Sequence, residues 1–308
     1  MTSRFASAPR SMLFVPGDSE RKLARAMDTA ADALILDLED SVARARKAAA
    51  RELVREYLRA DPTGRRPCWV RINALDGPAA RVDLDAVLPT RPHGLVLPKI
   101  HSADDVAALA TLLDALEPRA GLAAGSTAIL PITTETPAAL FAMAGYARAG
   151  PRLAALTWGA EDLSVALGAA TALDADGEWL PPYQLARSLC LLAAADAGVP
   201  AIDTVWTSLG DEPRLLRQAR AAKRDGFAGK LAIHPGQIDV LNEVFTPSAS
   251  EAAHARRVVA AFAAAPGAGA IAMDGRMLDQ PHLARAERVL ALADRLAAGE
   301  RRAAAEDT

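Results

Sequence analysis

Leu153-Ala-Ala-Leu-Thr-Trp-Gly-Ala-Glu-Asp-Leu-Ser164 is the stretch from which the fold can be read. Residues 153–158 form an apolar run of strand length, closed upstream by Gly150-Pro151 and downstream by Gly159. Directly after the glycine stand two adjacent carboxylates, Glu161 and Asp162, and then a helical pattern. A strand that delivers acids at its carboxyl end is how an α/β enzyme presents metal ligands or acid/base groups. Glu161 and Asp162 fit a plainer role equally well, as first-turn acids that complement the helix dipole. What gives the stretch its weight is that the rest of the chain repeats the arrangement.

On either side, strand-like and helix-like segments alternate. Residues 11–15 read as a strand ending at Pro16-Gly17, with Ser19 as the N-cap of a helix to about residue 30. Residues 33–38 form a second strand, followed by Glu39-Asp40 and an Arg-rich helix over about 44–59. A third, 68–72, ends at Asn73, and a fourth, 94–97, ends at Pro98-Lys99. Ser102 then starts a helix, with Asp105 in the capping-box position and Val106, Leu109, Leu113 and Leu116 on its apolar face. The fifth strand, 128–132, ends at Thr133-Thr134-Glu135, and Pro137 suits the first turn of the next helix. The seventh spans 201–206, Asp211 caps a helix running to Asp225-Gly226, and the eighth, 231–233, ends at His234-Pro235.

Eight short strands separated by helices call for a parallel sheet, because each crossover then needs a helix. Eight such units in about 230 residues predict an α/β fold of the (β/α)8 TIM-barrel type. An open doubly wound sheet is the alternative, but no G-x-G-x-x-G follows the first strand to mark a dinucleotide site. The barrel is expected over residues 1–245 and a helical C-terminal extension over 246–308. Within the extension, a helix over about 248–264, a Gly/Ala/Pro link, the DGRMLDQPHL segment and a last amphipathic helix are expected, with residues 299–308 as a frayed polar tail.

The 308 residues carry 35 Lys plus Arg against 38 Asp plus Glu, a net charge of −3, which gives no basic field for nucleic acid. Cys68 and Cys190 both fall in apolar segments and read as buried small hydrophobes in a reduced, cytoplasmic protein. No apolar run reaches the roughly 18–20 residues that cross a bilayer. The opening residues lack the uninterrupted apolar core of a signal peptide.

In a barrel the carboxyl ends of the strands share one mouth, so the residues there can be pooled. They are Glu39, Asp40, Arg71, Asn73, Lys99, Glu135, Glu161, Asp162, Asp203 and His234. No Cys/His cluster suggests zinc, and His234 by itself reads as a packing or hydrogen-bonding residue. No G-x-S-x-G or other nucleophile motif is present. Carboxylates from separate strands suit a hard cation, Mg²⁺ or Mn²⁺, which takes one or two protein carboxylates and fills its other positions with water and substrate.

Several stretches carry a resemblance. RSMLFVPGDSERKLARA, ALILDLEDSV, VRIN with the following DG, LPKI, the Glu-Thr after strand five, WGAEDLS, IDTVW, GFAGKLAIHPGQI, FTPS and DGRMLDQP occur in that order. Together, over about residues 10–290, they resemble the citrate lyase β-subunit-like (CitE-like) family of the HpcH/HpaI aldolase/citrate lyase superfamily, which includes malyl-CoA and citramalyl-CoA lyases. The resemblance implies a barrel that binds Mg²⁺ and breaks or forms a carbon–carbon bond next to a CoA thioester. The product is acetyl-CoA or propionyl-CoA plus a 2-oxo acid. By the same resemblance, Glu135 and Asp162 match the metal ligands, and Arg71 matches the arginine that holds the substrate's carboxylate and carbonyl oxygens. Asp279 matches a catalytic aspartate supplied by a neighbouring subunit of a homotrimer or hexamer, which would make the extension a lid on that neighbour. Glu39, Asp40 and Lys99 are candidates to bind substrate or orient Arg71, and Arg21 and Lys22 to meet CoA phosphates beside a helix N-terminus. Lys47 resembles a lysine common in the family's second helix.

Three alternatives stand beside this reading. A pyruvate-type class II aldolase carries a histidine base in a D-x-E-H pattern; the matching run here is Asp37-Leu-Glu39-Asp40, without the histidine. A citrate lyase β subunit would work with an α subunit on a citryl group held by an acyl-carrier subunit. A non-catalytic acyl-CoA-binding barrel would be expected to have lost Arg71, Glu135 or Asp162, and all three are present. Trp206 puts an indole where a smaller aromatic is expected, so the pocket beside it is expected to be altered.

Overall fold

Short apolar segments, most of them cut off by Pro, Gly or an acid, set the spacing of the chain. The computed structural model describes residues 8–60 and 66–306. β1 (Ser11–Pro16) leads to α1 (Glu20–Met27), β2 (Ala33–Asp37) to α2 (Lys47–Ala60), β3 (Cys68–Arg71) to α3 (Pro78–Val87), and β4 (Gly94–Leu97) to α4 (Ala103–Leu116). β5 (Ala128–Pro131) is followed by a short α5 (Pro137–Phe141), and β6 (Leu156–Thr157) by α6 (Glu161–Leu167) and α7 (Pro181–Ala197). β7 (Ala201–Asp203) precedes α8 (Glu212–Asp225), and β8 (Gly229–Ala232) precedes α9 (Ile238–Phe245). The helix starts follow local chemistry: Ser102 and Asp105 form the reciprocal capping box, Asp211 accepts from the Arg214 N–H, and Pro137 occupies the first turn of α5.

All eight strands run parallel in the order β5-β4-β3-β2-β1-β8-β7-β6. The two ends of that sheet meet through the parallel bridges Ile129–Leu153 and Ile132–Thr157, which close an eight-stranded (β/α)8 barrel. Side chains alternate along each strand. Met12, Ile35, Trp69, Val96, Leu130, Ile202 and Leu231 fill the interior, while Leu34, Leu36, Val70, Leu95 and Leu97 pack under the helices. At the amino end of the β5–β6 junction the Arg152 guanidinium grips both oxygens of the buried Glu117 at 2.7 Å and donates to the Thr127 carbonyl at 3.1 Å. Burial alone would raise the Glu117 carboxyl, but Arg152 and the Thr127 and Gly125 N–H groups bring it down to about 2.

The strand expected over 153–158 is shorter, because only Leu156 and Thr157 pair continuously with β7, and residues 153–154 reach β5 through single bonds. The strand expected to run to Trp206 stops at Asp203, the last residue in register with β8. Cys190 is buried in α7, whereas Cys68 is only half-buried. Among the described residues no helix is long and apolar enough to cross a membrane.

Residues 246–308 form a second compact unit. α10 (Ala249–Ala263) starts from a Ser248/Glu251 capping box. It is followed by an antiparallel hairpin of β9 (Ala270–Met273) and β10 (Arg276–Asp279), and then by α11 (Gln280–Glu306). The hairpin was not expected within a helical extension. Its turn is Asp274-Gly275, with φ of 52° and 74°, the left-handed pair that a two-residue hairpin loop requires. α11 also continues helically to Glu306 instead of fraying from residue 299. Residues 1–7, read above for a leader, and 307–308, the end of the expected tail, lie outside the described residues.

β8 is packed against the backbone that enters β1. A Cβ on Gly229 would lie 2.0 Å from the Pro9 carbonyl oxygen and 2.8 Å from that of Arg10. Gly229→Ala is therefore expected to cost roughly 1–3 kcal/mol or more through forced backbone movement. Urea unfolding of the variant checks it, and wild-type stability would contradict the close approach.

Candidate active site

The alternation that fills the barrel continues to its carboxyl end. Trp69 faces the interior, so Arg71, two residues on, faces the mouth, with its guanidinium over the Phe14 ring at 4.8 Å. Asp37 follows Ile35 in the same way on β2. It receives Arg71 Nε at 2.7 Å and a terminal nitrogen at 2.6 Å, and also accepts the backbone N–H groups of Glu39 and Ser41. Burial alone would raise the Asp37 carboxyl, but the Arg71 guanidinium holds it below the ordinary carboxylate range. The third Arg71 nitrogen lies 3.1 Å from Glu39 Oε2. Asp37 thus fixes the plane of the guanidinium and takes two of its five N–H donors; Glu39 stands beside the third nitrogen, which leaves two donors over.

β4 delivers Lys99, whose backbone has a left-handed φ of 53°. Its N–H donates to Glu135 Oε2, while its ammonium contacts Glu39 Oε1, lies 2.6 Å from Asp40 and 3.8 Å from Asp162. Glu135 is only 5% exposed. Burial is the main cause that pushes its carboxyl up to about 8; the Lys99 N–H and Arg71 work against this, and the nearby Asp162 and Glu39 charges add to it. Burial likewise raises Glu39 despite Arg71 and Lys99; burial is also the largest single influence on Asp40, but Lys99, Glu39 and Arg71 together hold that carboxyl below its ordinary value.

Glu135 and Asp162 follow neighbouring strands across the junction that closes the barrel, and two threonines tie that junction together. Thr133 Oγ1 donates to the Thr157 carbonyl at 2.9 Å. Thr134 Oγ1 both donates to the Gly159 carbonyl and accepts the Gly159 N–H, each at 3.1 Å. Gly159 must be glycine for the acid to pack there, since a Cβ would come within 2.8 Å of Glu135 Cγ.

The structure therefore gathers Arg71, Glu39, Asp40, Lys99, Glu135 and Asp162 into one continuous cluster. Other pooled residues go elsewhere. Asp203 follows the inward Ile202 by one residue, so the pleat turns it outward under the helices. There it binds Lys230 at 2.6 Å, Trp158 Nε1 at 2.8 Å and Arg187 at 3.4 Å, all away from the mouth. Asn73 donates to the Leu38 carbonyl and Asp83 and accepts the Lys47 ammonium, which bonds the Leu38 and Glu39 carbonyls as well. Glu161 is exposed, and His234 Nδ1 accepts the Gly236 N–H in a turn. Trp206 is buried in the core beneath the helices, so its indole does not shape the mouth. Arg21 and Lys22 are exposed on α1. Asp279 ends β10 in the second unit, half-exposed, with Oδ1 2.5 Å from His282 Nδ1. Asp37, Thr134 and Gly159 were not anticipated; the period-two spacing of Asp37 from Ile35 was the available signal.

Chemically, the cluster is a set of hard oxygen donors beside a fixed guanidinium. Among the described residues, no group of three or more His, Cys, Asp or Glu side chains is arranged to hold a metal alone. Two carboxylates with the remaining positions left to water and ligand suit Mg²⁺ better than zinc. The raised Glu135 fits as well, because a divalent cation would offset the desolvated charge that otherwise favours its protonated form.

Residues 10–235 match the HpcH/HpaI aldolase/citrate lyase family. Over 291 residues the chain is 36% identical to a (3S)-malyl-CoA thioesterase of Cereibacter sphaeroides, covering 94% of this chain and 96% of that protein. It is 37% identical over 287 residues to the citrate lyase subunit beta of Escherichia coli, covering 92% and 93%. A solved structure of the protein CitE from Mycobacterium tuberculosis in complex with magnesium, acetoacetate and coenzyme A superimposes with a TM-score of 0.77 at 36% identity, covering 94% of this chain and 99% of that one.

The Asp37–Arg71 pair makes a prediction about stability. Asp37→Asn leaves the Arg71 charge under-compensated and is expected to cost roughly 3–5 kcal/mol. Because the native Asp37 carboxyl is held low, its contribution is complete above the unfolded value of about 4 and is lost as pH falls through the lower native value. Urea unfolding at stepped pH should show a constant gap between wild type and variant above about pH 5 that narrows towards acid. A gap that widens as the solution is acidified would contradict the pairing.

Proposed function

The chain belongs to the HpcH/HpaI aldolase/citrate lyase family, and from that premise we propose that it is a Mg²⁺-dependent carbon–carbon lyase acting on a 3-hydroxydicarboxyl-CoA thioester. The substrate class is malyl-, citramalyl-, methylmalyl- or citryl-CoA, and the products are acetyl-CoA or propionyl-CoA and a 2-oxo acid. Mn²⁺ could substitute for Mg²⁺. The observation that carries this reading is the convergence of Glu135, Asp162 and the braced Arg71 on one mouth. The magnesium, acetoacetate and coenzyme A held together by the M. tuberculosis protein support it.

In the proposed reaction Glu135 and Asp162 hold the cation. Mg²⁺, when bound, polarises hydroxyl and carboxylate oxygens as a Lewis acid. Arg71 presents its unused N–H donors to the substrate carboxylate in the paired geometry that arginine favours. Glu39 and Asp40 keep Arg71 and Lys99 in place at the rim. The hydroxyl gives its proton to water, its oxygen becomes the carbonyl of the 2-oxo acid, and the bond from its carbon to the carbon α to the thioester breaks. The electron pair goes to that α-carbon, which then takes a proton. Asp279 is the proposed proton donor, carried by the C-terminal unit of a neighbouring copy in a homotrimer or hexamer, with that unit serving as a lid. Arg21 and Lys22 are the proposed contacts of the CoA phosphates. A cytoplasmic location goes with the reading, because CoA thioesters are made and used inside cells.

A second reading has a specific observation behind it. The C. sphaeroides relative is named a thioesterase, so hydrolysis of the thioester in the same mouth is the competing outcome. Carbon–carbon cleavage releases an oxo acid and leaves the thioester intact, whereas hydrolysis releases free thiol. A β-subunit role in a citrate lyase complex would instead show as activity on a carrier-bound citryl group only.

Assaying the four CoA thioesters for oxo acid and for free thiol, with Mg²⁺ and with EDTA, tests the reading. Oxo-acid release that EDTA abolishes and that Glu135→Gln lowers by on the order of 10²-fold or more is expected. Full activity in chelator, or thiol as the sole product, would overturn it. Asp279→Ala should lose roughly 10²- to 10⁴-fold in turnover. Mixing it with inactive Glu135→Ala should restore activity if copies share sites, and no recovery after subunit exchange would remove the shared arrangement.

A further inference from the structure

Lys99 reaches every acid of the candidate cluster. Its ammonium reaches Glu39 Oε1 and Asp40 Oδ2 and stands 3.8 Å from Asp162 Oδ1, and its backbone N–H holds Glu135. Among the described residues, three other than glycine have a left-handed φ: Arg91, Lys99 and Asp274. Asp274 is in a hairpin turn and Arg91 ends a short 3₁₀ turn, where that conformation is common. Lys99 alone adopts it at the mouth end of a barrel strand, at a cost on the order of 1–3 kcal/mol for a residue with a Cβ. The conformation aims the two ends of one residue at different acids: the N–H at Glu135 and the ammonium at Glu39, Asp40 and Asp162.

The charges explain why that is useful. Five acids, Asp37, Glu39, Asp40, Glu135 and Asp162, face three cations; the Arg71 guanidinium is already committed to Asp37 and Glu39, and the Lys47 ammonium is held behind them by the Leu38 and Glu39 carbonyls, which leaves Lys99 for the others. Among the described residues, Asp162 is within 4 Å of one ammonium, that of Lys99. We propose that Lys99 is a tethered counter-cation, neutralising the acids of the mouth in the metal-free protein and competing with the divalent ion for Asp162. Binding of the ion would move the ammonium off Asp162 while Glu39 and Asp40 retain it. Lys99 thereby weakens metal binding and keeps the site intact between turnovers, acting as a positioning residue through the carboxylates. The proposal rests on the reading of Glu135 and Asp162 as the metal ligands.

The test is calorimetric titration of magnesium chloride, without substrate, into wild type, Lys99→Met, Lys99→Gly and Lys99→Arg. Glycine adopts the left-handed backbone freely, so its N–H can still reach Glu135, while both Met and Gly remove the charge. Lys99→Met and Lys99→Gly should each bind Mg²⁺ roughly tenfold tighter, since even in bulk water a unit charge a few ångströms from a divalent ion is worth about that factor. Lys99→Arg should bind like wild type. Without metal, Lys99→Met should melt below wild type and recover the difference when Mg²⁺ is added. Unchanged or weaker binding in either the Met or the Gly variant overturns the role of Lys99. Wild-type titrations that detect no Mg²⁺, or binding that survives both Glu135→Gln and Asp162→Asn, would overturn the ligand assignment beneath it. Binding that needs Asp162 yet ignores Lys99 would overturn the counter-cation alone.

Discussion

The ring of strands closes at its most sparsely bonded junction. β5 and β6 meet through single bridges instead of a continuous ladder, yet the two acids proposed to share a cation follow these strands. Side chains make up for the missing ladder. Arg152 ties the amino end to Glu117 and the Thr127 carbonyl, and Thr133 and Thr134 tie the carboxyl end to Thr157 and Gly159. The threonines thereby fix the backbone on both sides of the junction from which the two acids extend.

Bringing acids together out of water is costly, and most of the polar architecture of the mouth offsets that cost. Asp37 is matched by Arg71, Glu39 is shared between Arg71 and Lys99, and Glu135 is left with a backbone N–H and a proton affinity raised to about 8. The least compensated carboxylate is thus the most buried of the two proposed ligands. In a protein without a cation role this would be a defect. For a site that takes up a divalent ion it is the reserve of electrostatic energy that binding relieves. The buried Asp203–Lys230 pair shows the contrast, since there each charge finds its partner at 2.6 Å and no acid is left over.

Much of this could be read from residue order, for reasons that differ by element. The barrel was legible because each strand is a short apolar run followed by a helix start, and capping residues such as Ser102, Asp211 and Ser248 mark those starts locally. The mouth residues Arg71, Lys99, Glu135 and Asp162 were legible because each ends its strand or follows it closely. Asp203 was misassigned because pooling by strand end ignores the pleat, and a shift of one residue from Ile202 sends a side chain to the other face. Asp37 was overlooked although it ends β2 just as Arg71 ends β3 and stands beside it in register, because an acid at a strand end does not show by position alone that it braces a neighbouring guanidinium. The hairpin at Asp274-Gly275 was missed although its dipeptide is a strong turn signal, because the stretch was read only as a link and an irregular segment between two helices. Thr134 and Gly159 act only through contacts between strands that no local pattern encodes.

The proposed chemistry therefore depends on two carboxylates from adjacent strands gripping one hard cation opposite a fixed guanidinium. Crystals grown with manganese chloride, examined by anomalous diffraction, test this most directly. A single strong anomalous peak bridging side-chain oxygens of Glu135 and Asp162, on the side facing Arg71, is the expected result. Absence of a peak there at saturating manganese, or a peak held by other acids while Glu135 and Asp162 point apart, would contradict it.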